Sequence, residues 1–352
     1  MISYSIPVNL ENWIESQLNG LGTSLNHSSR LAQSIKRMAD FYIEQPFSET
    51  PWNELWCQEA QYSYYFPINY LRNIRVFQEL QNYNFFDTQF SWTEFGVGLG
   101  PSLEAFFQIN LPHHLLTDTQ LYEYSKLAKT NCENRIQSTY NFSTHWGSGI
   151  PSNLRPGSLL VMSYALTEIE VLPDWIWSAD SIIIIEPSTQ DDGRRLMELR
   201  KSAIEKNFQV IAPCTHMMSC PLLINSKKDW CHDRFAFERP TWMLKIESYL
   251  PFKNQTLTLS YLALKRHPSV KSSTDMVSKD IRVIGDFLNE KGKTRQLICR
   301  SSEREFLSFL KKIHNPPEYF RGDLLNIDNP ILKKGDEIRV EPNQIKLNVR
   351  LK

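Results

Sequence analysis

The stretch FSWTEFGVGLGPSLEAFF, residues 90–107, constrains the fold more than any other. It reads as a short strand, a glycine-rich turn and a helix start. Glu94, Gly96, Gly98 and Gly100 form E-x-G-x-G-x-G. Glycines at such a turn let backbone pass close to a ligand and let a helix N-terminus face it. A dinucleotide fingerprint wants G-x-G-x-x-G, but Pro101 follows Gly100 directly. The turn therefore points to S-adenosylmethionine more than to NAD. Further on, HHLLTD reads as a second short strand ending at Asp118. A carboxylate there can accept hydrogen bonds from ribose hydroxyls. The plainer role for Asp118 is an N-cap for a helix TQLYEYSKLAK.

The alternation continues downstream. SLLVMSYALTEI gives a buried strand with Ser163 and Tyr164 at its carboxyl end, beside the expected cofactor. SIIIIEP is a near-continuous apolar run, the mark of a parallel strand covered on both faces. GRRLMELRKSAIEK is an amphipathic helix, FQVIAPC the next strand and LTLSYLALKR another. Strands alternating with helices predict a doubly wound α/β sheet.

Between those last two strands lies VIAPCTHMMSCPLLINSKKDWC, with Cys214, Cys220 and Cys231. Three thiols in one short irregular loop suit a metal or cluster better than packing. Cys299, at the end of the apolar stretch RQLIC, is the best fourth ligand, with His216 and His232 in reserve. Buried apolar cysteines are the bland reading. Soft thiolates suit Zn2+ and iron–sulfur clusters about equally, so the spacing does not name the metal.

The 352 residues suffice for two or three domains. Residues 1–88 read as an N-terminal helical region, with Ser28 or Ser29 as a possible cap and the aromatic run QYSYYFPINY as core. Residues 89–270 read as the α/β domain carrying the cysteine loop 212–232, and 271–352 as a basic, β-rich subdomain. The net charge is zero, but residues 1–264 hold 20 basic and 27 acidic side chains, and 265–352 hold 19 and 12. A segment at +7 beside a body at −7 suggests a polyanion-facing side, or simply a solvated surface. No apolar run reaches membrane-span length. The start MISYSIPVNLENW lacks export or import features, so a cytoplasmic protein, and a monomer, is expected.

Together these pieces resemble the ribosomal small-subunit methyltransferase-like family, bacterial relatives of a mitochondrial small-subunit assembly factor. The likeness runs from about Ala60 to Asp323 and rests on QYSYYFPINY, EFGVGLG, SYALTEI, IIIIEPSTQDDGRR, VIAPCTHMMSCPL, DWCH, LSYLALKR, QLIC and RGDLL. It implies a Rossmann-like S-adenosylmethionine-dependent methyltransferase fold with a cysteine-rich insertion. It also implies a four-iron, four-sulfur cluster on Cys214, Cys220, Cys231 and Cys299, and association with the small ribosomal subunit and its rRNA. The chain departs from the family pattern at Glu94 (family Asp), Ser188 (Gly), Thr215 (Pro) and Asp233 (Phe).

Three functions are open to this sequence. The first is an S-adenosylmethionine-binding, iron–sulfur methyltransferase-like protein acting on small-subunit rRNA. The second is a non-catalytic assembly factor on the same fold, and the third a small-molecule methyltransferase with structural zinc. Asn315-Pro316-Pro317 is far from the nucleotide fold and reads as a turn. Methyl transfer requires mainly positioning of the nucleophile in line with the methyl group, so no catalytic residue is named.

Overall fold

The computed structural model describes residues 4–109, 111–267, 280–310, 317–327 and 332–349. Its strands are β1 (Phe90–Phe95), β2 (Leu116–Tyr122), β3 (Ser158–Ser163), β4 (Ser181–Glu186), β5 (Phe208–Ala212), β6 (Asp233–Phe235), β7 (Leu257–Arg266), β8 (Asp280–Val283), β9 (Leu288–Glu290), β10 (Lys293–Cys299), β11 (Glu305–Leu310), β12 (Leu324–Ile327), β13 (Leu332–Lys334), β14 (Glu337–Arg339) and β15 (Ile345–Val349). The chain divides into two compact units. One comprises Met1–Ile184 and Ala236–Leu257, the other Ile185–Phe235 and Thr258–Lys352. No helix among the described residues is long and apolar enough to cross a membrane.

In the first unit the strand order is β2-β1-β3-β4. β1 is central and pairs in parallel with both β2 and β3. The fold is thus Rossmann-like α/β, as the alternation of strands and helices implied. Trp92 on β1 is fully buried and packs on Phe106, with ring centroids 5.0 Å apart, and on Phe77 at 5.9 Å. Each aromatic side chain buried this way contributes on the order of 2 kcal/mol. Phe77 comes from the helix Phe66–Asn82, which carries Pro67 in its first turn. A single π-helical turn, Gln61–Tyr65, joins it to the helix Leu55–Ala60. Tyr62, Tyr64, Phe66 and Tyr70 are core, as expected.

Three sequence boundaries need correction. The strand read as HHLLTD runs on to Tyr122, so Asp118 is its third residue and not its end. Leu116, Thr119 and Leu121 turn inward in register with β1, and that burial extends the strand through residues read as helix. The helix begins instead at Lys126, and the Ser125 hydroxyl accepts the Ala128 amide as its cap. The helix Ser28–Glu44 has His27 at its N-cap and no side-chain cap from either serine.

In the second unit β5 runs antiparallel to β7, and β6 pairs with β7. The helix Gln190–Glu205 is capped by the Thr189 hydroxyl, which accepts the Asp192 amide. The β-rich region is larger than the short segments read from sequence. It is an eight-stranded sheet of order β13-β14-β11-β10-β8-β12-β15, with β9 on β10. Its core joins Ile281, Val283, Ile298, Leu307, Leu325 and Ile338.

Candidate functional site

Two places in the chain gather chemistry, one in each unit. In the first unit a cleft opens at the carboxyl ends of β1, β2 and β3. Gly96 and Gly98 line it, with Glu123, Ser163, Tyr164 and Glu168. The turn's three glycines all hold positive φ, at 72°, 55° and 77°. At Gly96 and Gly100 space is also decisive. A Cβ on Gly96 would lie 2.8 Å from the Ala165 Cβ, and one on Gly100 2.6 Å from the Cys132 sulfur. At Gly98 the neighbour is the Trp52 ring at 3.5 Å, an ordinary contact.

Glu94 does not reach the cleft. It is buried beneath the turn and accepts hydrogen bonds from the Ser102 hydroxyl and the Trp92 indole. Burial raises its carboxyl to about 7, although those two bonds and the nearby Glu123 also act on it. Its chemistry ties β1 to the helix Pro101–Gln108. Gly100 is likewise packed behind the turn, on Cys132. Asp118 lies away from the cleft, bound to His145 and Arg155, each at 2.7–2.8 Å.

The acid that faces the turn is Glu123, the first residue after β2. Its Oε2 accepts the Gly98 amide at 2.8 Å and its Oε1 the Ser125 amide at 2.8 Å. Burial raises its pKa against those backbone bonds. Sequence reading passed over it because the strand was ended four residues early; its place directly after LTDTQLY was the available signal. Ser163 accepts the Asn73 side-chain amide at 2.9 Å. Tyr164 beside it holds φ 61°, a left-handed conformation uncommon outside glycine, with Arg72 over its ring. Opposite, the Thr50 hydroxyl donates to Glu168 at 2.6 Å and the Tyr124 hydroxyl donates to the Thr50 carbonyl at 2.5 Å. Burial raises Glu168 to about 7 as well.

In the second unit Cys214, Cys220, Cys231 and Cys299 line one cavity. Cys214 lies two residues after β5, Cys220 occupies the N-cap position of the helix Pro221–Asn225, Cys231 precedes β6 and Cys299 ends β10. Tertiary folding thus brings the distant fourth thiol to the other three. Burial raises the Cys220, Cys231 and Cys299 thiols, and the neighbouring sulfurs raise them further. His216 sits 3.3 Å from the Cys299 sulfur, and burial lowers its pKa to about 4, with Arg200 adding to the shift. His232 instead packs against Trp230. Among the described residues no three His, Cys, Asp or Glu side chains converge tightly enough for a single metal ion.

The surroundings explain one family departure. Asp233 forms a buried ion pair with Arg282, which also donates to the Tyr261 hydroxyl. The position thus takes a carboxylate because an arginine is buried against it. Trp230 donates to the Ser188 carbonyl at 2.7 Å and lies where a Cβ on Gly193 would reach its ring at 2.5 Å. Arg200 was missed from sequence, where an arginine on an amphipathic helix reads as surface. It is buried, and its Nε donates to the Cys214 sulfur at 3.1 Å.

The family model described as mitochondrial small ribosomal subunit Rsm22 matches residues 114–319. The chain belongs to the Rsm22 family. The matched span covers β2 and all four cavity cysteines of this Rsm22-family chain. No curated protein matches it. Among solved structures, an S-adenosylmethionine-dependent methyltransferase from Clostridium acetobutylicum is similar at 9% identity and TM-score 0.33, over 55% of this chain and 90% of that one. Magnesium protoporphyrin IX methyltransferase from Synechocystis is similar at 8% identity and TM-score 0.33, over 57% and 85%. Precorrin-6y C5,15-methyltransferase from Geobacter metallireducens is similar at 10% identity and TM-score 0.32, over 51% and 82%.

Proposed function

We propose that this chain is an S-adenosylmethionine-binding, methyltransferase-like protein of the small ribosomal subunit, with an iron–sulfur cluster in its second unit. The observation that carries the cofactor reading is the Gly98–Glu123 pair. A carboxylate at the end of β2 is held against the turn after β1, where ribose hydroxyls could donate to its remaining lone pairs. The cleft fits the group in two further ways. The Gly96 and Gly98 backbone is uncovered by side chains of its own, and Gln61, Asn69 and Ser163 present polar atoms for an amino-acid end. Bound there, S-adenosylmethionine would supply an electrophilic methyl group. The chain's part is to orient it and to exclude water, with Trp52 and Tyr124 walling the cleft.

The donor set of the second unit is four thiols around a cavity, with no carboxylate among its lining. That set suits a soft metal. Cys214, Cys220, Cys231 and Cys299 would hold it. The ribosomal partner is supported by family membership. Binding to small-subunit rRNA would place the protein in assembly or translation.

Two measurements on the full chain test this reading. Calorimetry with S-adenosylmethionine should give one site per chain; no heat of binding would refute the cofactor. Anaerobic purification should give a coloured protein with iron and acid-labile sulfide in equal amounts. A colourless protein with one zinc and no sulfide would refute the cluster.

A further inference from the structure

The helix Gln190–Glu205 sends one face into the thiol cavity: Gly193, Leu196, Met197 and Arg200, at the spacing of successive turns. Three of these are apolar or have no side chain. The fourth is an arginine left only 3% exposed. A guanidinium is always charged, and burying it without partners is costly. Its partners here all belong to the cysteine loop. Nε donates to the Cys214 sulfur at 3.1 Å, and Nη2 donates to the His216 carbonyl at 2.7 Å and the Met218 carbonyl at 2.9 Å.

We infer that Arg200 is the positioning residue of the thiol centre: one guanidinium clamps the Cys214–Met218 loop to the helix and sets a fixed positive charge beside the thiolate ligands. This rests on the cluster reading for the charge role, but the clamp exists without any metal. Four ionised thiols crowded into a low-dielectric cavity repel one another, and a nearby permanent cation offsets that repulsion. The planar fork reaches a sulfur and two carbonyls at once. A lysine would bring the charge, but its three donors radiate from one nitrogen and cannot take the two separate positions of Nε and Nη2.

The test compares wild type, Arg200→Lys and Arg200→Met, each purified anaerobically as the full chain. One readout is iron and sulfide per chain, with the rate at which a ferrous chelator strips the iron. The second is hydrogen exchange at residues 214–219 in chelator-stripped protein. Arg200→Met should lose iron about 10- to 100-fold faster, as expected when a group supporting metal ligands is removed. It should also raise loop exchange while exchange in β10 and β11 stays put. Arg200→Lys should lose iron at an intermediate rate and still show the loosened loop. Wild-type exchange and wild-type iron loss in both variants would overturn the inference. A wild type that carries neither iron nor sulfide would refute the cluster reading alone. Loop exchange in the metal-free proteins would then decide the clamp by itself: loosened in the variants, it stands; unchanged, it falls.

Discussion

The Gly98 amide donates a 2.8 Å hydrogen bond to Glu123 across the cleft at the ends of β1 and β2. That bond orients the Glu123 carboxylate toward the glycine turn, whereas Asp118 is turned to His145 and Arg155. Glu123→Gln should weaken S-adenosylmethionine binding about 10- to 100-fold, the loss of one or two charge-assisted hydrogen bonds. Asp118→Asn should leave affinity unchanged, because Asp118 is occupied with His145 and Arg155. Calorimetry on both variants decides it. The reverse ranking would return the ribose role to Asp118.

Glu94 makes the first unit sensitive to pH. Burial lifts its carboxyl from 4.5 to about 7. Between those values the folded chain keeps a proton that the unfolded chain has released. Its contribution is therefore complete below pH 4.5 and is lost as pH rises through about 7, a change on the order of 3 kcal/mol. Glu94→Gln cannot ionise, so its denaturation midpoint should drop less than wild type's between pH 5 and pH 8. Parallel pH profiles for the two proteins would sink this account.

The thiol centre should depend on its most distant ligand. Cys299 ends β10 opposite Arg282 of β8, and its carbonyl accepts the Thr215 hydroxyl at 3.1 Å. Cys299→Ser should retain about tenfold less iron and melt at a lower temperature, because metal-binding free energy is also folding free energy. If the variant keeps wild-type iron, His216, 3.3 Å from the Cys299 sulfur, becomes the fourth ligand. His216→Ala in that background would then release the metal.

Among the described residues of the basic C-terminal segment, lysines differ in their pairing. Lys333 bridges Glu303 and, at 2.9 Å, Glu305, whereas Lys334 is exposed. Lys311 and Lys312 lie outside the described residues. Lys334→Glu should lower the salt dependence of rRNA binding by about one phosphate contact. Lys333→Glu should instead cost about 1 kcal/mol of stability by facing two carboxylates. Filter binding across a salt series, beside chemical denaturation, separates the two. If Lys334→Glu leaves the salt slope untouched, this edge is only a solvated face.

Much of the fold was legible because it is written in local periodicity. The four isoleucines of β4 must lie under cover on both faces, and the run Glu94 to Pro101 allows little but a strand, a tight turn and a helix. Cys214, Cys220, Cys231 and Cys299 could be singled out as a set from sequence, and they line one cavity. Legibility failed at Leu116–Tyr122. There, alternation over seven residues competed with a helical reading, and only register against β1 settled it. The acid at the end of the strand is therefore Glu123, with Asp118 inside it.

The sequence by itself determined that the chain carries an α/β sheet with a glycine-rich turn after its first strand, and that three thiols share one loop. Both follow from residue type and short-range spacing, which local sterics and ligand chemistry constrain directly. Tertiary structure alone decided that Glu94 lies under the turn, that Glu123 faces it, that Cys299 meets Cys214, and that Arg200 points inward. Those outcomes depend on which faces are buried and which distant strands pair. Burial converts an arginine that would read as surface into a clamp, and a carboxylate that would read as a ligand into a buried tie.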